Sequence, residues 1–486
     1  MIIKIGTKKY KAFDQNKFAK ISKDFNPIHC NNIESRKSIF GGEIVHGVNI
    51  LLTALNFLYK NKKIEKPSQI FCDFLKPLFL NQKTDFYLNF KDRNVLEILV
   101  KSKNLLTSKF TIILKKVNIE RLNKKNLSAK TINQINKINT NRIIDNKCLI
   151  NNKNKYYQVN LKNFNLSKSF SNINYKFNTQ EIKEILCLSY FVGMVCPGKN
   201  SILFKITINM NSSKISKNLN KNKKILFHLL NFSKALNKLT INFSGLIEGE
   251  IQCFKYLSPK ITHIKDLKKF RLESKYVNNK KALIIGGSRG LGEVTSKYLA
   301  IQKCVTYATY NLGLNEIKKF KKEFHKFNYK IFFLKYDIEN KKFITLNKKK
   351  FKRIDYFFYF ATPKILNTSL YKFDKILFNK YMNYYYRSFK NLCIELNRIA
   401  EKKIKIFYPS TIYINNNNQN FKEYTLAKKN SEFKIKKLEK KLNNIRIKIF
   451  RLPEMSTHQN IKILGTDKNN LSLFIPFIKR FIKLND

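Results

Sequence analysis

The sequence predicts an α+β region followed by an α/β region built on a doubly wound parallel sheet. Three observations carry this. A helix-like apolar run followed by alternating strand-like runs occurs before Val117, and again in outline between Thr179 and Tyr256. From Lys280 onward, short apolar strands alternate with helical periods, the pattern of βαβ units. A glycine-rich turn joins the first of those strands to its helix.

Length and composition set the frame. At roughly 150 residues per domain, 486 residues suggest about three units. Hydrophobic residues at 43% and charged residues at 26% match folded globular chains, so global disorder is excluded. The 96 Lys+Arg against 32 Asp+Glu give a formal +64. Lysine is spread along the whole chain with abundant Asn, Ile, Phe and Tyr, which indicates a compositional bias. A dedicated nucleic-acid binder concentrates its charge on one face, so none is expected here. The eight cysteines form no CxxC pair, so neither a metal site nor a disulfide framework is expected. No apolar run is long enough to span a bilayer, and the first residues lack a signal-peptide core; the default compartment is the cytoplasm.

Taking the elements in order, Met1 to about Val117 begins with a mixed segment and then a buried helix, Gly47–Tyr59. Strand candidates follow at Ile70–Leu80, Thr84–Phe90, Asn94–Lys103 and Leu106–Val117, with turns at Asn81-Gln82 and Asn104. Residues 119–160, rich in Asn, Lys and Ile without a period, read as a linker or insertion. A helix at Thr179–Val195, a break at Cys196-Pro197-Gly198, and strands at Ser201–Met210, Lys224–Asn231, Lys238–Phe243 and Glu248–Tyr256 then repeat the outline over 161–265. The next boundary falls near Asp266 to Asn279, and 278–486 form the α/β domain.

Within the first region, Ser22-Lys23-Asp24-Phe25-Asn26-Pro27-Ile28-His29 brings a carboxyl and an imidazole together on a proline-stiffened loop, a plausible acid/base pair for adding or removing water. The helix starting near Gly47 offers backbone N–H groups that could polarise a thioester carbonyl. With Ile44-Val45-His46-Gly47, this segment resembles the MaoC-like dehydratase or hydratase 2 family of hotdog folds, whose signature reads roughly S-G-D-x-N-P-x-H and then H-G; Lys23 stands where the signature has glycine. The resemblance implies a hotdog at 1–118, Asp24 and His29 handling the α-proton and the water, and Asn26 orienting them. Phe191 to Gly198 resembles the second hotdog of double-hotdog members but carries no second D-x-N-P-x-H, so 161–265 is expected to support the sheet and shape an acyl tunnel. His46, His228 and His263 are read as structural.

In the α/β domain, Ile284 to Gly292 sits between strand Ala282–Ile285 and a helix reaching Ala300, where glycines permit a tight turn and a close approach to a pyrophosphate at the helix N-terminus. Strand Val305–Thr309, helix Asn315–Phe327 and strands Lys330–Tyr336 and Ile354–Phe360 follow. Tyr424 and Lys428, at i and i+4, share a helix face, so the ammonium is expected to lower the phenol's pKa. Ser410 follows the strand Lys405–Tyr408 and should present its hydroxyl at the sheet's carboxyl edge. Together these features resemble the short-chain dehydrogenase/reductase family, with its Rossmann-type sheet.

That resemblance implies that Gly286, Ser288, Arg289, Gly290, Leu291 and Gly292 hold the cofactor's phosphates, with Asp337 at the adenine and Ala361 at the end of a fourth strand where Tyr359 and Phe360 replace the family's asparagines. It also implies that Tyr424 protonates the substrate oxygen, Lys428 holds the nicotinamide ribose, Ser410 binds the carbonyl and Asn383 serves the proton relay. Pro453 and Thr457 would close over the nicotinamide. The second strand ends around Thr309 without a ribose-binding carboxylate, and Arg289 could attract a 2′-phosphate, so NADPH is expected over NADH. The two halves fit one substrate: reduction of a 3-oxoacyl thioester, on coenzyme A or a carrier protein, gives the 3-hydroxyacyl thioester that a hydratase 2 dehydrates. A homo-oligomer is the expectation by analogy with the family. The alternative is a carbonyl reductase whose hotdog region only binds the acyl group.

Overall fold

The computed structural model describes residues 2–484 except 63, 116–155, 165–167, 211–222, 257–261, 326, 341, 367–372, 416–418, 456 and 458–469. The chain forms two compact units, one of Met1–Leu257 and the other beginning at Ser258. The second therefore starts ahead of the boundary expected at 266–279. The reason is packing: Lys297 donates to the Thr262 carbonyl at 2.7 Å, and Leu267 and Val277 are buried in that unit's core.

The first unit contains one ten-stranded sheet. Its strands are β1 (Ile2–Lys9), β2 (Gln69–Phe74), β3 (Lys83–Phe90), β4 (Val95–Ser102), β5 (Leu105–Ile113), β6 (Tyr156–Asn160), β7 (Ser201–Asn209), β8 (Lys224–Ser233), β9 (Lys238–Ser244) and β10 (Glu248–Lys255). The spatial order is β1-β3-β4-β5-β2-β7-β10-β9-β8-β6, antiparallel throughout. Read from each edge inward, the two halves have the same order, so the outline repeat in the sequence is a repeat of topology. The halves join through β2 and β7, where Cys72 opposes Ile206 and Gln69 Nε2 donates to Asn209 Oδ1 at 2.6 Å.

Three helices accompany this sheet: α1 (Ala12–Ser22), α2 (Gly47–Asn61) and α3 (Thr179–Tyr190). The α2 residues Val48, Leu51, Leu52, Ala54, Leu55 and Leu58 are fully buried, as their apolar run predicts. Burying each leucine contributes roughly 2 kcal/mol. Helix α3 opens with a capping box between Asn178 and Glu181 and runs into a π-turn at Phe191–Val195. Two strands differ from the sequence reading. β1 lies in the stretch read as mixed, and β6 in the stretch read as linker; both are edge strands, with only one neighbour to impose alternation. The strand expected at Ile70–Leu80 ends at Phe74, with a single bridge from Phe79 to Ile44 beyond it. The rest of the predicted linker lies outside the described residues.

The second unit has β11 (Lys281–Ile285), β12 (Val305–Tyr310), β13 (Ile331–Lys335), β14 (Tyr356–Tyr359), β15 (Ile404–Thr411) and β16 (Ile445–Leu452), all parallel in the order β13-β12-β11-β14-β15-β16. Its helices are α4 (Gly290–Ile301), α5 (Leu314–Phe324), α6 (Lys375–Met382), α7 (Ser388–Ile399), α8 (Lys422–Glu439) and α9 (Asn470–Lys483). Alternation along β11 divides the core. Leu283 and Ile285 pack toward α7 and α8, while Ala282 and Ile284 pack toward α4 and α9. Strand order reverses between β11 and β14, which opens a crevice at their carboxyl ends. Among the described residues no disulfide forms, and no helix is long and apolar enough to cross a membrane.

Candidate active sites

In the first unit the loop after α1 is bent at Lys23, which holds a left-handed backbone (φ 60°, ψ 13°) at a cost of about 1 kcal/mol. This is the position where the hydratase signature has glycine. The bend buries Asp24 and Asn26. Asn26 caps the helical turn Pro27–Cys30 by accepting from the Ile28 N–H at 3.3 Å, and its amide donates to the Gly193 carbonyl at 3.3 Å. The Asp24 carboxylate accepts from the Asn26 N–H at 3.1 Å and from Ser189 Oγ at 2.6 Å. A Cβ on Gly193 would lie 2.3 Å from Asp24 Oδ1, so only glycine fits the π-turn there. The second repeat thus supplies part of the wall around the first repeat's acid/base loop.

His29 Nδ1 donates to the Ile44 carbonyl at 2.9 Å, which leaves Nε2 as the acceptor of a neutral ring. Its ring stacks on His46 with centroids 3.8 Å apart. His46, fully buried, places Nδ1 2.7 Å from Gln15 Oε1 and Nε2 3.0 Å from the Asp24 main-chain oxygen. Burial pushes the Asp24 carboxyl up, opposed by His29 and by the Ser189 hydrogen bond. Burial pushes His29 down, opposed by Asp24. The nitrogen and carboxylate atoms of Asp24, His29 and His46 lie within 4.8 Å of one another, yet His46 commits both ring nitrogens to protein oxygens. The cluster is therefore an acid/base constellation, and no metal is assigned to it. The two remaining histidines read as structural are His228, stacked on Tyr156 at 4.3 Å, and His263, which precedes the helical turn Ile264–Leu267.

In the second unit, the turn between β11 and α4 is as tight as the glycines predict. Gly286 has φ +78°, and a Cβ on Gly292 would lie 2.1 Å from the Gly286 oxygen. Ser288 is buried beneath the turn. No side chain caps α4 at Arg289, so the first-turn N–H groups at Gly290, Leu291 and Gly292 face the crevice without a side-chain acceptor from the cap position. These features fit a pyrophosphate. Thr309, expected among the cofactor-binding residues, is buried; it accepts from the Gly286 N–H through Oγ1 at 3.0 Å and from the Gly287 N–H through its carbonyl at 2.9 Å, and so it braces the turn. Lys364, close enough for the Arg289 charge to act on it, is pushed down to about 7 by burial and then by that charge. Asp337 at the end of β13 accepts from Asn311 at 2.9 Å. Ala361 abuts Gly286, where a Cβ would come within 3.1 Å of its nitrogen. Tyr359 and Phe360 do not leave gaps: the Tyr359 hydroxyl donates to the Tyr384 carbonyl at 2.6 Å, and Phe360 packs on Phe407 and Phe474. Pro453 follows β16, and Thr457, four residues further on, is partly buried.

Tyr424 and Lys428 are buried on one face of α8. Lys428 Nζ donates to the Pro409 carbonyl at 2.6 Å and lies over the rings of Tyr385 (4.0 Å) and Tyr408 (4.9 Å). The expected lowering of the tyrosine pKa is not realised. Burial pushes the Tyr424 phenol up to about 12, with Thr411's hydrogen bond opposing, and pushes Lys428 down to about 7, with Glu432 opposing. Ser410 also needs correction. Neighbouring strand residues face opposite ways, and the hydroxyl beside Tyr424 is that of Thr411, whereas the buried Ser410 hydroxyl has no hydrogen-bond partner among the described residues and acts on Glu432, itself forked to Arg451 at 2.7 Å. Asn383 opens a π-turn (Asn383–Arg387), and its carbonyl accepts from the Ser388 N–H. The residue of that turn that meets Lys428 is Tyr385. Sequence reasoning missed Thr411, Tyr385, Ser189 and Gly193. Thr411 was within reach, one residue from Ser410, but strand parity decides between them.

Comparison with known proteins adds the following. A model of the MaoC like domain matches residues 7–109. No curated protein sequence matches the chain. Solved structures similar to it include FolM alternative dihydrofolate reductase 1 of Brucella canis complexed with NADP (16% identity, 37% of this chain and 74% of that one, TM-score 0.33). Others are a dehydrogenase/reductase of Sinorhizobium meliloti 1021 (18% identity, 38% and 77%, TM-score 0.34) and a putative short chain dehydrogenase of Escherichia coli CFT073 complexed with NADPH (12% identity, 37% and 80%, TM-score 0.34).

Proposed function

We propose that this chain is a bifunctional acyl-thioester enzyme: a double-hotdog (R)-3-hydroxyacyl dehydratase joined to an NADPH-dependent 3-oxoacyl reductase of the short-chain type. The observation that carries the reading is the pairing of buried Asp24 with partly buried His29, held by Asn26 and Ser189, on a chain whose second unit buries Tyr424 and Lys428 and carries a glycine turn. Bound NADPH would supply the hydride. Gly286 to Gly292 and the α4 N-terminus would hold its pyrophosphate, Arg289 with Lys364 its 2′-phosphate, and Lys428 its ribose. A phenol raised to about 12 stays protonated at neutral pH, so Tyr424 can give its proton to the substrate oxygen, with Thr411 fixing the hydroxyl. The 3-hydroxyacyl product suits the first site. There His29, neutral through Nε2, takes the α-proton, and the Asp24 carboxylate relays that proton from His29 to the departing hydroxyl, which leaves as water.

The test is direct. The full chain is mixed with a crotonyl thioester and hydration is followed by absorbance loss; separately, it is mixed with NADPH and an acetoacetyl thioester. Asp24→Asn is expected to reduce hydration at least about 100-fold. Wild-type reduction of the oxo substrate without any Asp24-dependent hydration would leave the alternative, a reductase with an acyl-binding hotdog region. Failure with every thioester would point to another carbonyl substrate.

A further inference from the structure

We infer that His46 is a positioning residue that stands in the dehydratase site as an imidazolium, pinning Asp24 and keeping His29 as the neutral base. The inference rests on the reading of Asp24 and His29 as the acid/base pair, and it comes from counting donors and acceptors around a fully buried ring. Both nitrogens of His46 face oxygen. Nδ1 meets Gln15 Oε1 at 2.7 Å, and Nε2 meets the Asp24 main-chain oxygen at 3.0 Å. The Asp24 carbonyl can only accept. The Gln15 amide is oriented by the His46 backbone N–H, which donates to the same Oε1 at 3.2 Å; turning the amide over would set its NH2 against that N–H. A neutral imidazole would leave one nitrogen lone pair pressed against an oxygen lone pair in a dry site. Only the doubly protonated ring satisfies both contacts.

The surroundings fit that charge. Asp24 Oδ2 lies 3.9 Å from His46 Nε2, a carboxylate next to the cation. The α1 neighbours are the neutral Gln15 and Phe18, whose ring lies 4.8 Å from that of His46. Across the carboxylate, α3 contributes only the Ser189 hydroxyl. Among the described residues, the titratable ring stacked on His46 is His29, at 3.8 Å. A charge on one of two stacked imidazoles disfavours a charge on the other, so a cation on His46 keeps His29 neutral at rest. With Nδ1–H given to Ile44, the His29 lone pair is left on Nε2, as a base requires. Burial, and after it the charge of His29, push the His46 pKa down, and the Asp24 carbonyl opposes them; against that direction stand the two oxygen acceptors at Nδ1 and Nε2, which only the doubly protonated ring can satisfy.

The chain has six histidines, so ring-15N spectra of the full-length labelled protein can be assigned by single substitutions. At pH 7.5 His46 is expected to show two protonated ring nitrogens, and His29 the neutral Nδ1–H form. A neutral His46 at that pH overturns the inference, whether or not hydration activity is found. Gln15→Leu, which removes one acceptor, is expected to lower the His46 titration midpoint by at least about one pH unit with circular dichroism unchanged. If that variant does not fold, Gln15→Glu is expected to raise the midpoint instead; an unmoved midpoint in the folded variant also overturns it. For the positioning role, His46→Gln is expected to lower kcat for enoyl hydration by about 100-fold with KM within twofold, and an unchanged kcat overturns that role. The underlying reading fails separately, through loss of Asp24 dependence.

Discussion

At the scale of single residues, two close contacts make sharp predictions. Gly193 has no room for a methyl group because the Asp24 carboxylate occupies that space at 2.3 Å. Gly193→Ala should therefore displace Asp24 and reduce hydration by about 100-fold or more while the reductase rate stays within twofold, as read from the two thioester assays on one preparation. In the second unit, Thr411 rather than Ser410 touches the phenol. Thr411→Ala is expected to lower kcat for acetoacetyl reduction by about tenfold to 100-fold, and Ser410→Ala by less than threefold, because strand alternation turns Ser410 away from the phenol, toward the Glu432 side. Equal effects from both would show that the strand parity is misassigned. Neither Gly193 nor Thr411 was legible as a site residue. Each acquires its role from a partner on another element, Asp24 for Gly193 and Tyr424 for Thr411, and a pattern read along one strand or helix contains no information about the facing element.

At the scale of elements, the helices and interior strands were legible and the edges were not. The apolar run of α2 and the alternation of β3, β4 and β7 to β10 are imposed by burial on a definite face, so the periodicity marks them. Edge strands β1 and β6 bear a weaker imprint. Helix α3 shows what an element can hide. Its Glu184 is buried and accepts from the Ile247 N–H at 2.9 Å, tying the helix to the hairpin turn between β9 and β10, where Gly245 leaves room for the carboxyl. Burial raises the Glu184 carboxyl from 4.5 to about 7. The folded state therefore holds a proton that the unfolded state releases earlier, and stability falls as pH rises from about 4.5 to 7, by on the order of 3 kcal/mol in total. Urea melts followed by circular dichroism should show that slope, and Glu184→Gln should flatten it. A slope unchanged in the variant would assign it to another group.

At the scale of the whole molecule, the formal charge of +64 suggests polyanion binding, yet lysine is distributed along the entire chain. Retention on a polyanion column is expected to fall steeply with salt and to leave NADPH affinity unchanged at 0.15 M salt, measured by fluorescence titration with and without the polyanion. Competition with NADPH under those conditions would indicate a dedicated nucleic-acid surface. The duplicated sheet of the first unit carries a different consequence. Because β2 pairs with β7 and Asn26 reaches across to Gly193, the acid/base loop of one repeat is completed by the other, as in an interface between subunits. Here both partners belong to one polypeptide. Their association is intramolecular, independent of protein concentration, and the two surfaces are free to diverge: one repeat can keep the reactive side chains while the other drifts into a purely supporting role without ever producing an inactive self-paired dimer.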